Sequence, residues 1–164
     1  MKRLLCALLI LAAGQLGAVD FDYRLSAVPV AKDVYTFLGK TEDFTTDNGG
    51  NIVNTAFIVA PQGVIVIDSG PSLRYGQQMR RAIATVTNKP IRQVLITHHH
   101  PDHFFGNQGF RDLPIAALPG SISGMKEEGG GFADNLYRMA GDWMRETEPL
   151  AATQEARPGR STIG

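Results

Sequence analysis

The metal-binding capacity of this chain is concentrated in one short stretch, from Thr97 to His103. It holds all four histidines of the 164-residue sequence and one aspartate: His98, His99, His100, His103 and Asp102. Neutral imidazole and carboxylate are ligand types that zinc and the neighbouring transition metals favour. The stretch therefore predicts a metal site. A histidine-rich loop that binds metal adventitiously is the alternative.

The spacing of these residues predicts two neighbouring metal positions. Residues two apart on an extended chain point the same way, so His98 and His100 can converge on one metal while His99 points elsewhere. Asp102 and His103 follow the proline turn and can serve a second metal nearby. Two metals a few ångströms apart can make water available as a nucleophile at neutral pH.

The apolar runs upstream predict the elements that position this stretch. Residues 55–59 and 64–67 are typical of a hairpin from the interior of a sheet, and Asp68 closes its second strand. Residues 72–86 repeat apolar side chains at helical spacing, and residues 92–96 predict the strand that delivers the histidines. Ligands at the carboxyl end of a strand are the usual placement in an α/β fold.

Weaker patterns flank this core. Residues 34–38 and 115–118 predict short strands, residues 40–50 a polar loop, and the segment around Asn107 and Gly109 a short irregular helix. From Ser121 onward the sequence predicts a polar helix interrupted by the glycines 129–131. A stripe at helical intervals then predicts a core-facing or lid helix: Phe132, Leu136, Met139, Trp143 and Met144.

Two marks in the sequence carry a resemblance to a known family. The pattern His-x-His-x-Asp-His, formed by His98, His100, Asp102 and His103, resembles the signature of the metallo-β-lactamase superfamily. The upstream run Val-Ile-Val-Ile-Asp-Ser-Gly, residues 64–70, is similar to the strand ending in aspartate that is the family's other N-terminal mark. The resemblance covers residues 30–145. It implies an α/β fold, the four-layer αβ/βα sandwich of this superfamily.

The resemblance also implies roles for individual residues. His98 and His100 would ligate a first zinc ion, Asp102 and His103 a second. Asp102 would also act in catalysis, by orienting the nucleophile or assisting proton transfer. Asp68 would hold the ligand loop through hydrogen bonds. The alternative, which need not conflict with this role, is that its carboxylate caps the helix that follows. The activity implied is zinc-dependent attack of water on an ester, thioester, lactam or similar bond of a small molecule.

A finer resemblance points to one secreted branch of the superfamily. Residues 48–55, 70–76, 97–104, 134–137 and 141–144 are similar to the quinoprotein relay system zinc metallohydrolases. Proteins of that branch are periplasmic and are associated with pyrroloquinoline quinone-dependent dehydrogenases. The resemblance therefore implies a quinoprotein dehydrogenase system as partner.

The N-terminal residues also predict a periplasmic location. Residues 1–18 are typical of a cleaved signal peptide, with Lys2 and Arg3 ahead of the apolar residues 4–13 and a small-residue end at Ala18. The apolar run is shorter than the roughly 20 residues that span a membrane. We therefore expect a periplasmic protein without a stable membrane anchor.

Composition excludes several other classes of site. Cys6, the only cysteine, lies in the predicted signal peptide, so disulfides and thiolate ligands are excluded from the mature chain. Sixteen basic residues balance sixteen acidic ones without a basic stripe, so nucleic-acid binding has no electrostatic support.

The later part of the family's ligand pattern is missing from this sequence. That pattern adds a later histidine, a bridging aspartate and a final histidine, whereas no histidine follows His103. Residues 19–150 are therefore expected to form the N-terminal part of the domain, and residues 151–164 a linker-like or truncated end. A lone first half would leave one face of its sheet uncovered. A short form that dimerises, an inactive fragment and a metal- or partner-binding protein are the alternatives.

Overall fold

The computed structural model describes residues 21–156, which form a seven-stranded mixed sheet whose strands follow chain order. Strands β1 to β4 pair antiparallel, and β4 to β7 pair parallel. The strands are β1 (Val28–Ala31), β2 (Val34–Phe37), β3 (Thr55–Ala60), β4 (Gly63–Ile67), β5 (Ile91–Ile96), β6 (Ile115–Ala117) and β7 (Gln154–Glu155). The predicted signal peptide, residues 1–18, lies outside the described residues.

Helices connect the parallel strands. In the described residues they are α1 (Leu73–Val86), α2 (Pro101–Phe104) and α3 (Pro119–Ala140), with 3₁₀ helices at Phe105–Phe110 and Asp142–Glu146. Helix α1 begins where Ser72 Oγ accepts a hydrogen bond from the Tyr75 N–H, at 3.1 Å. The alternative in which Asp68 caps this helix is therefore wrong.

One face of the sheet carries the hydrophobic core. Phe57, Val66 and Val94 are neighbours across β3, β4 and β5 and are fully buried. They belong to one cluster with Tyr75 and Met79 of α1. The predicted hairpin, helix α1 and strand β5 are confirmed. Alternate residues of each strand face the helical side of the sheet.

The opposite face of the sheet is apolar but incompletely covered. Ile58, Ile65, Ile67 and Leu95 alternate with the core residues along β3, β4 and β5. They are half-buried and lie outside the core cluster. In the part of the chain that the structure describes, helices pack on one face of the sheet, which is the arrangement expected of one half of an αβ/βα sandwich.

The predicted break at glycines 129–131 is wrong, because α3 runs unbroken from Pro119 to Ala140. A glycine inside a helix costs about 1 kcal/mol relative to alanine. Met125, Ala133 and Leu136 are buried in the core and offset that cost. The predicted stripe is also partly wrong: Met139 is 38% exposed, and its last two members, Trp143 and Met144, lie in the second 3₁₀ helix, beyond the end of α3.

The chain after residue 150 stays docked as far as the structure describes it. Ala152 is buried, and Gln154–Glu155 pairs in parallel with β6 as the seventh strand. Residues 151–156 thus differ from the predicted linker-like end, and the rest of that end, residues 157–164, lies outside the described residues. The sequence could not predict β7, because its pairing with β6 depends on a partner far away in the chain. Within residues 21–156 no helix is both long and apolar enough to cross a membrane.

Candidate metal centre

Strand β5 delivers the predicted ligands from the interior of the sheet. It lies between β4 and β6, and the segment that follows it, Thr97–His103, is called here the histidine loop. Pro101 occupies the first turn of α2, where its missing N–H is tolerated. The turn is closed by the His103 N–H, which donates to the His100 carbonyl at 3.0 Å.

The histidine loop brings three imidazole rings together. The ring centroids of His98 and His103 are 4.0 Å apart, and those of His98 and His100 are 4.6 Å apart. Asp102 Oδ2 lies 3.8 Å from Nε2 of His103. All four residues predicted as metal ligands therefore lie in one cluster.

His99 points away from this cluster, toward α3. Its Nε2 lies 3.6 Å from a carboxylate oxygen of Glu128. Its ring also packs against the backbone of α3, since a Cβ placed on Gly124 would lie 2.5 Å from Cγ of His99. His99 thus faces α3, while its ring centroid lies 5.7 Å from that of His100.

Asp68 binds the histidine loop at two points. Its carboxylate accepts hydrogen bonds from the Thr97 N–H at 2.8 Å and from the Thr97 hydroxyl at 2.9 Å. It also lies 2.8 Å from Nδ1 of His103. Asp68 is 3% exposed and has a φ of +58°, a left-handed conformation that aspartate adopts more readily than most residues. It was the predicted loop-holding residue, and these contacts are the ones that role needs.

These contacts determine which ring nitrogens are free. An ionised carboxylate only accepts, so His103 donates Nδ1–H to Asp68 and keeps the lone pair of Nε2 available. Thr97 Oγ1 also lies 2.9 Å from Nδ1 of His98. If the hydroxyl donates to Asp68, it accepts from His98 Nδ1–H, which leaves Nε2 of that ring free as well.

The backbone after β4 braces the far end of the loop. The Ser69 N–H donates to the His103 carbonyl at 2.8 Å, and the Gly106 N–H donates to the Gly70 carbonyl at 2.8 Å. Ser69 Oγ donates to Asn107 Oδ1 at 2.8 Å. The strand end that carries Asp68 and the strand end that carries the histidines are therefore tied together on both sides of the cluster.

The local electrostatics favour a neutral ring at His98. Burial lowers the pKa of His98 from its ordinary value, and repulsion from His103 and His100 lowers it further. Asp68 and Asp102 act in the opposite direction, and their effect is smaller. A neutral imidazole is the form that can bind a metal.

The donor set suits zinc by type, but it is not a finished coordination shell. Imidazole and carboxylate donors are common zinc ligands. Within residues 21–156, however, no group of three or more His, Cys, Asp or Glu side chains is arranged to enclose an ion. The side chains fit zinc chemistry as a partial site, in which His98, His100, Asp102 and His103 supply donors and Asp68 orients them.

The segment that carries the site matches a known protein family. The model of the metallo-beta-lactamase superfamily matches residues 48–151, a range that contains β3 to β6, Asp68 and the whole histidine loop. The chain belongs to the metallo-beta-lactamase superfamily. Members of this superfamily are generally zinc hydrolases.

Solved metallo-beta-lactamases share the fold. That from Cronobacter sakazakii with a HARLDQ motif has a TM-score of 0.55 and 22% identity, covering 83% of this chain and 49% of its own. FIM-1 from Pseudomonas aeruginosa, in its mono-zinc form, has a TM-score of 0.56 and 14% identity, covering 81% and 50%. The enzyme from Hirschia baltica has a TM-score of 0.53 and 15% identity, covering 83% and 53%. The α/β, metallo-β-lactamase-like fold predicted from the sequence is thus confirmed.

A curated relative matches over a shorter stretch. The linear primary-alkylsulfatase of a Pseudomonas species is 36% identical over 53 residues, which is 32% of this chain and 10% of that protein. The chain therefore spans about half the length of the solved superfamily members named above and a tenth of this relative.

Sequence reasoning missed two parts of the site. It assigned no role to Thr97, whose only signal is a hydroxyl placed directly between the strand and the first histidine. It also missed that apolar side chains meet at the exposed end of the histidine loop. Leu136 was predicted on a core-facing or lid helix and Phe44 was given no role, yet both line the same cavity as His100.

Proposed function

We propose that the histidine loop is the N-terminal part of the zinc centre of a hydrolase. His98 and His100 hold a first zinc ion, and Asp102 and His103 hold a second. The observation that carries this proposal is the convergence of three imidazole rings on a loop that Asp68 orients at the carboxyl end of β5. Superfamily membership supports zinc as the metal.

The chain's own residues then have separate tasks. Zinc, when bound, supplies a Lewis acid and makes water available as a nucleophile at neutral pH. Asp68 holds the loop, and the Nδ1–H of His103 fixes that ring toward the cluster. Asp102, which stands beside the cavity at the loop's exposed end, orients the attacking water or accepts its proton. Full turnover by Asp102→Ala would remove this catalytic role.

We further propose that the remaining ligands come from polypeptide outside these 164 residues. Two facts support this: no histidine follows His103, and the chain spans about half the length of the solved enzymes it resembles. The intact mass of the endogenous protein tests it. A mass well above that of residues 19–164 is expected, whereas a mass equal to it would leave a second copy of the chain as the source of ligands.

The location and partner are proposed on the sequence alone. The basic, apolar and small-residue order of residues 1–18 supports export to the periplasm, and the segments similar to the quinoprotein relay branch support a link to a quinoprotein dehydrogenase system. Cell fractionation tests the first proposal. Recovery of the protein in the cytoplasm with residues 1–18 intact would contradict it.

Hydrolysis is tested on the zinc-loaded endogenous protein at the length the cell makes it. The panel contains an ester, a thioester, a lactam and a linear alkyl sulfate, the last because of the alkylsulfatase relative. We expect turnover of at least one probe, loss of turnover in His100→Ala, and retention in the matched control His99→Ala. Equal activity of the two variants would contradict the proposal.

A second candidate function is zinc or partner binding without turnover. It is favoured by the partial donor set, since a catalytic zinc is typically held by three protein ligands and residues 21–156 contain no such group. The same panel separates the two, because a binding protein takes up zinc and hydrolyses none of the probes.

A further inference from the structure

Asn107 lies in the 3₁₀ helix that follows the histidine loop, and it is completely buried. A buried amide costs free energy unless its polar atoms are hydrogen-bonded. Asn107 has two such partners from distant parts of the chain: Ser69, which follows β4, and Leu150, which precedes β7. The side chain therefore joins the strand end that carries Asp68 to the segment that enters β7.

The two partners fix the orientation of the Asn107 amide. The Leu150 carbonyl can only accept, so the amide nitrogen Nδ2 donates to it, at 2.8 Å. The amide oxygen Oδ1 then faces Ser69, whose hydroxyl donates to it at 2.8 Å. The hydrogen bonds thus run in one direction, from Ser69 through Asn107 to Leu150. Ser69 is held in place by an amide that is itself anchored on the backbone.

Ser69 is in direct contact with the end of the histidine loop. Its N–H donates to the His103 carbonyl at 2.8 Å. Its own carbonyl oxygen lies so close to Gly106 that a Cβ added to this glycine would be 1.9 Å away. Closely packed interiors transmit strain to their neighbours. A shift of Ser69 would therefore move the backbone of His103, whose ring is bonded to Asp68.

We propose that Asn107 is a positioning residue for His103 and that it acts through Ser69. With the amide anchored on Leu150, Ser69 stays where it keeps the Nδ1–H of His103 directed at Asp68. The Nε2 atom of the same ring then keeps its lone pair toward the ligand cluster. The inference rests on the proposed function for zinc as the ligand of Nε2, whereas the positioning itself needs no metal.

The first test follows the ring of His103 in the metal-free full protein. Its Nδ1–H is detected by ¹⁵N NMR, and its exchange with water is slow as long as it is bonded to Asp68. We expect Asn107→Ala to speed this exchange at least about fivefold, the equivalent of one lost hydrogen bond, because Ser69 is no longer held. Native exchange in the folded variant would overturn the inference.

Two further variants separate positioning from a general loss of stability. Thr147→Val removes another buried hydrogen bond of the segment that enters β7, at 3.0 Å, and leaves Asn107 untouched. It should lower the melting temperature and keep native exchange at His103. An equal acceleration in this control would attribute the effect to stability and overturn the inference.

Ser69→Ala removes the hydroxyl that transmits the effect but keeps the Asn107 amide anchored. It should speed the exchange of the His103 proton as Asn107→Ala does, and it carries the test if Asn107→Ala does not fold. Native exchange in Ser69→Ala would overturn the action through Ser69.

Zinc binding tests what the positioning does for the proposed centre. In the full protein, Asn107→Ala and Ser69→Ala should each weaken zinc binding by about three- to tenfold, less than the loss of a direct partner of the ring. The double variant should lose no more than either single variant, because both substitutions break one chain of bonds. Losses that multiply would overturn the action through Ser69.

The two proposals can fail separately in these experiments. Faster exchange in Asn107→Ala, together with no zinc uptake by the native protein, supports the positioning role and contradicts the proposed zinc centre. Native exchange and native zinc affinity in Asn107→Ala overturn the positioning role and leave the zinc centre standing.

Discussion

The two sides of the histidine loop differ in how they are held. On the inner side, Thr97 and His103 bind the buried carboxylate of Asp68. On the outer side, His100 is exposed and lines the cavity beside α3. His103 is therefore oriented before any metal binds, whereas His100 faces the space where a substrate would lie.

The two sides of the loop should contribute differently to stability and to metal affinity. Partners that orient a metal ligand act through hydrogen bonds within the protein, so they contribute to both stability and metal affinity. An exposed ligand contributes to metal affinity with little effect on stability. Substitutions on the two sides should therefore separate these two quantities.

The largest expected change in zinc affinity comes from the outer side. In the full protein, His100→Ala removes a proposed ligand and should weaken zinc binding by more than about a hundredfold, beyond the effect of losing an orienting partner. The free energy of unfolding without metal should change by less than about 0.5 kcal/mol, because the side chain is exposed. Isothermal titration and urea unfolding measure the two. A large loss of stability with unchanged zinc affinity would contradict the assignment of His100 as an exposed zinc ligand.

On the inner side, Asp68→Asn keeps the size of the side chain but changes its donors. The amide NH₂ would face Nδ1 of His103 and favour the tautomer with Nε2–H, which cannot bind a metal. We expect zinc affinity to fall about 10–100-fold. Stability should fall by about 1–3 kcal/mol, since a buried network loses a partner. Unchanged values for both quantities would show that Asp68 does not orient the loop.

Thr97→Val tests the hydroxyl that links Asp68 to His98. The substitution keeps the β-branched shape and the N–H bond to Asp68 but removes the hydroxyl contacts. We expect a loss of about 1 kcal/mol in stability and a few-fold loss in zinc affinity. Thr97→Ser is the matched control and should stay close to the native values. Equal losses in both variants would attribute the effect to shape rather than to the hydroxyl.

The smallest expected change in zinc affinity is at Gly124. A methyl group there meets the His99 ring, so Gly124→Ala should cost about 1–3 kcal/mol of stability through overpacking. Zinc affinity should be unchanged, because His99 lies outside the ligand cluster. Gly130→Ala, where an added Cβ meets nothing within 4 Å, is the control. A marked loss of zinc binding in Gly124→Ala alone would place His99 among the ligands.

Local patterns were enough to predict the elements that carry the site. Continuous apolar runs predicted β3 and β4, helical spacing predicted α1, and the apolar run before Thr97 predicted β5. These patterns are local, so they can be recognised in the sequence without knowledge of distant partners. The clustering of His98, His100 and His103 follows from the same local geometry.

Features that depend on distant partners could not be predicted in this way. Helix α3 continues through its three glycines because buried neighbours such as Leu136 hold it against the core. Strand β7 exists through its pairing with β6, and two residues are too few to carry a pattern that predicts a strand. Phe44 and Phe132 both line the cavity beside His100, although they are far apart in the sequence. They come together only when the chain folds.

The most direct test of the proposed zinc centre is an anomalous difference map from zinc-loaded crystals of the full protein. We predict zinc peaks bonded to ring nitrogens of His98 and His100 and to the Asp102–His103 pair, with Zn–N distances of about 2.0–2.1 Å. His99 should carry no peak. Zinc bound instead between His99 and Glu128, or no zinc at the histidine loop at all, would contradict the proposed zinc centre.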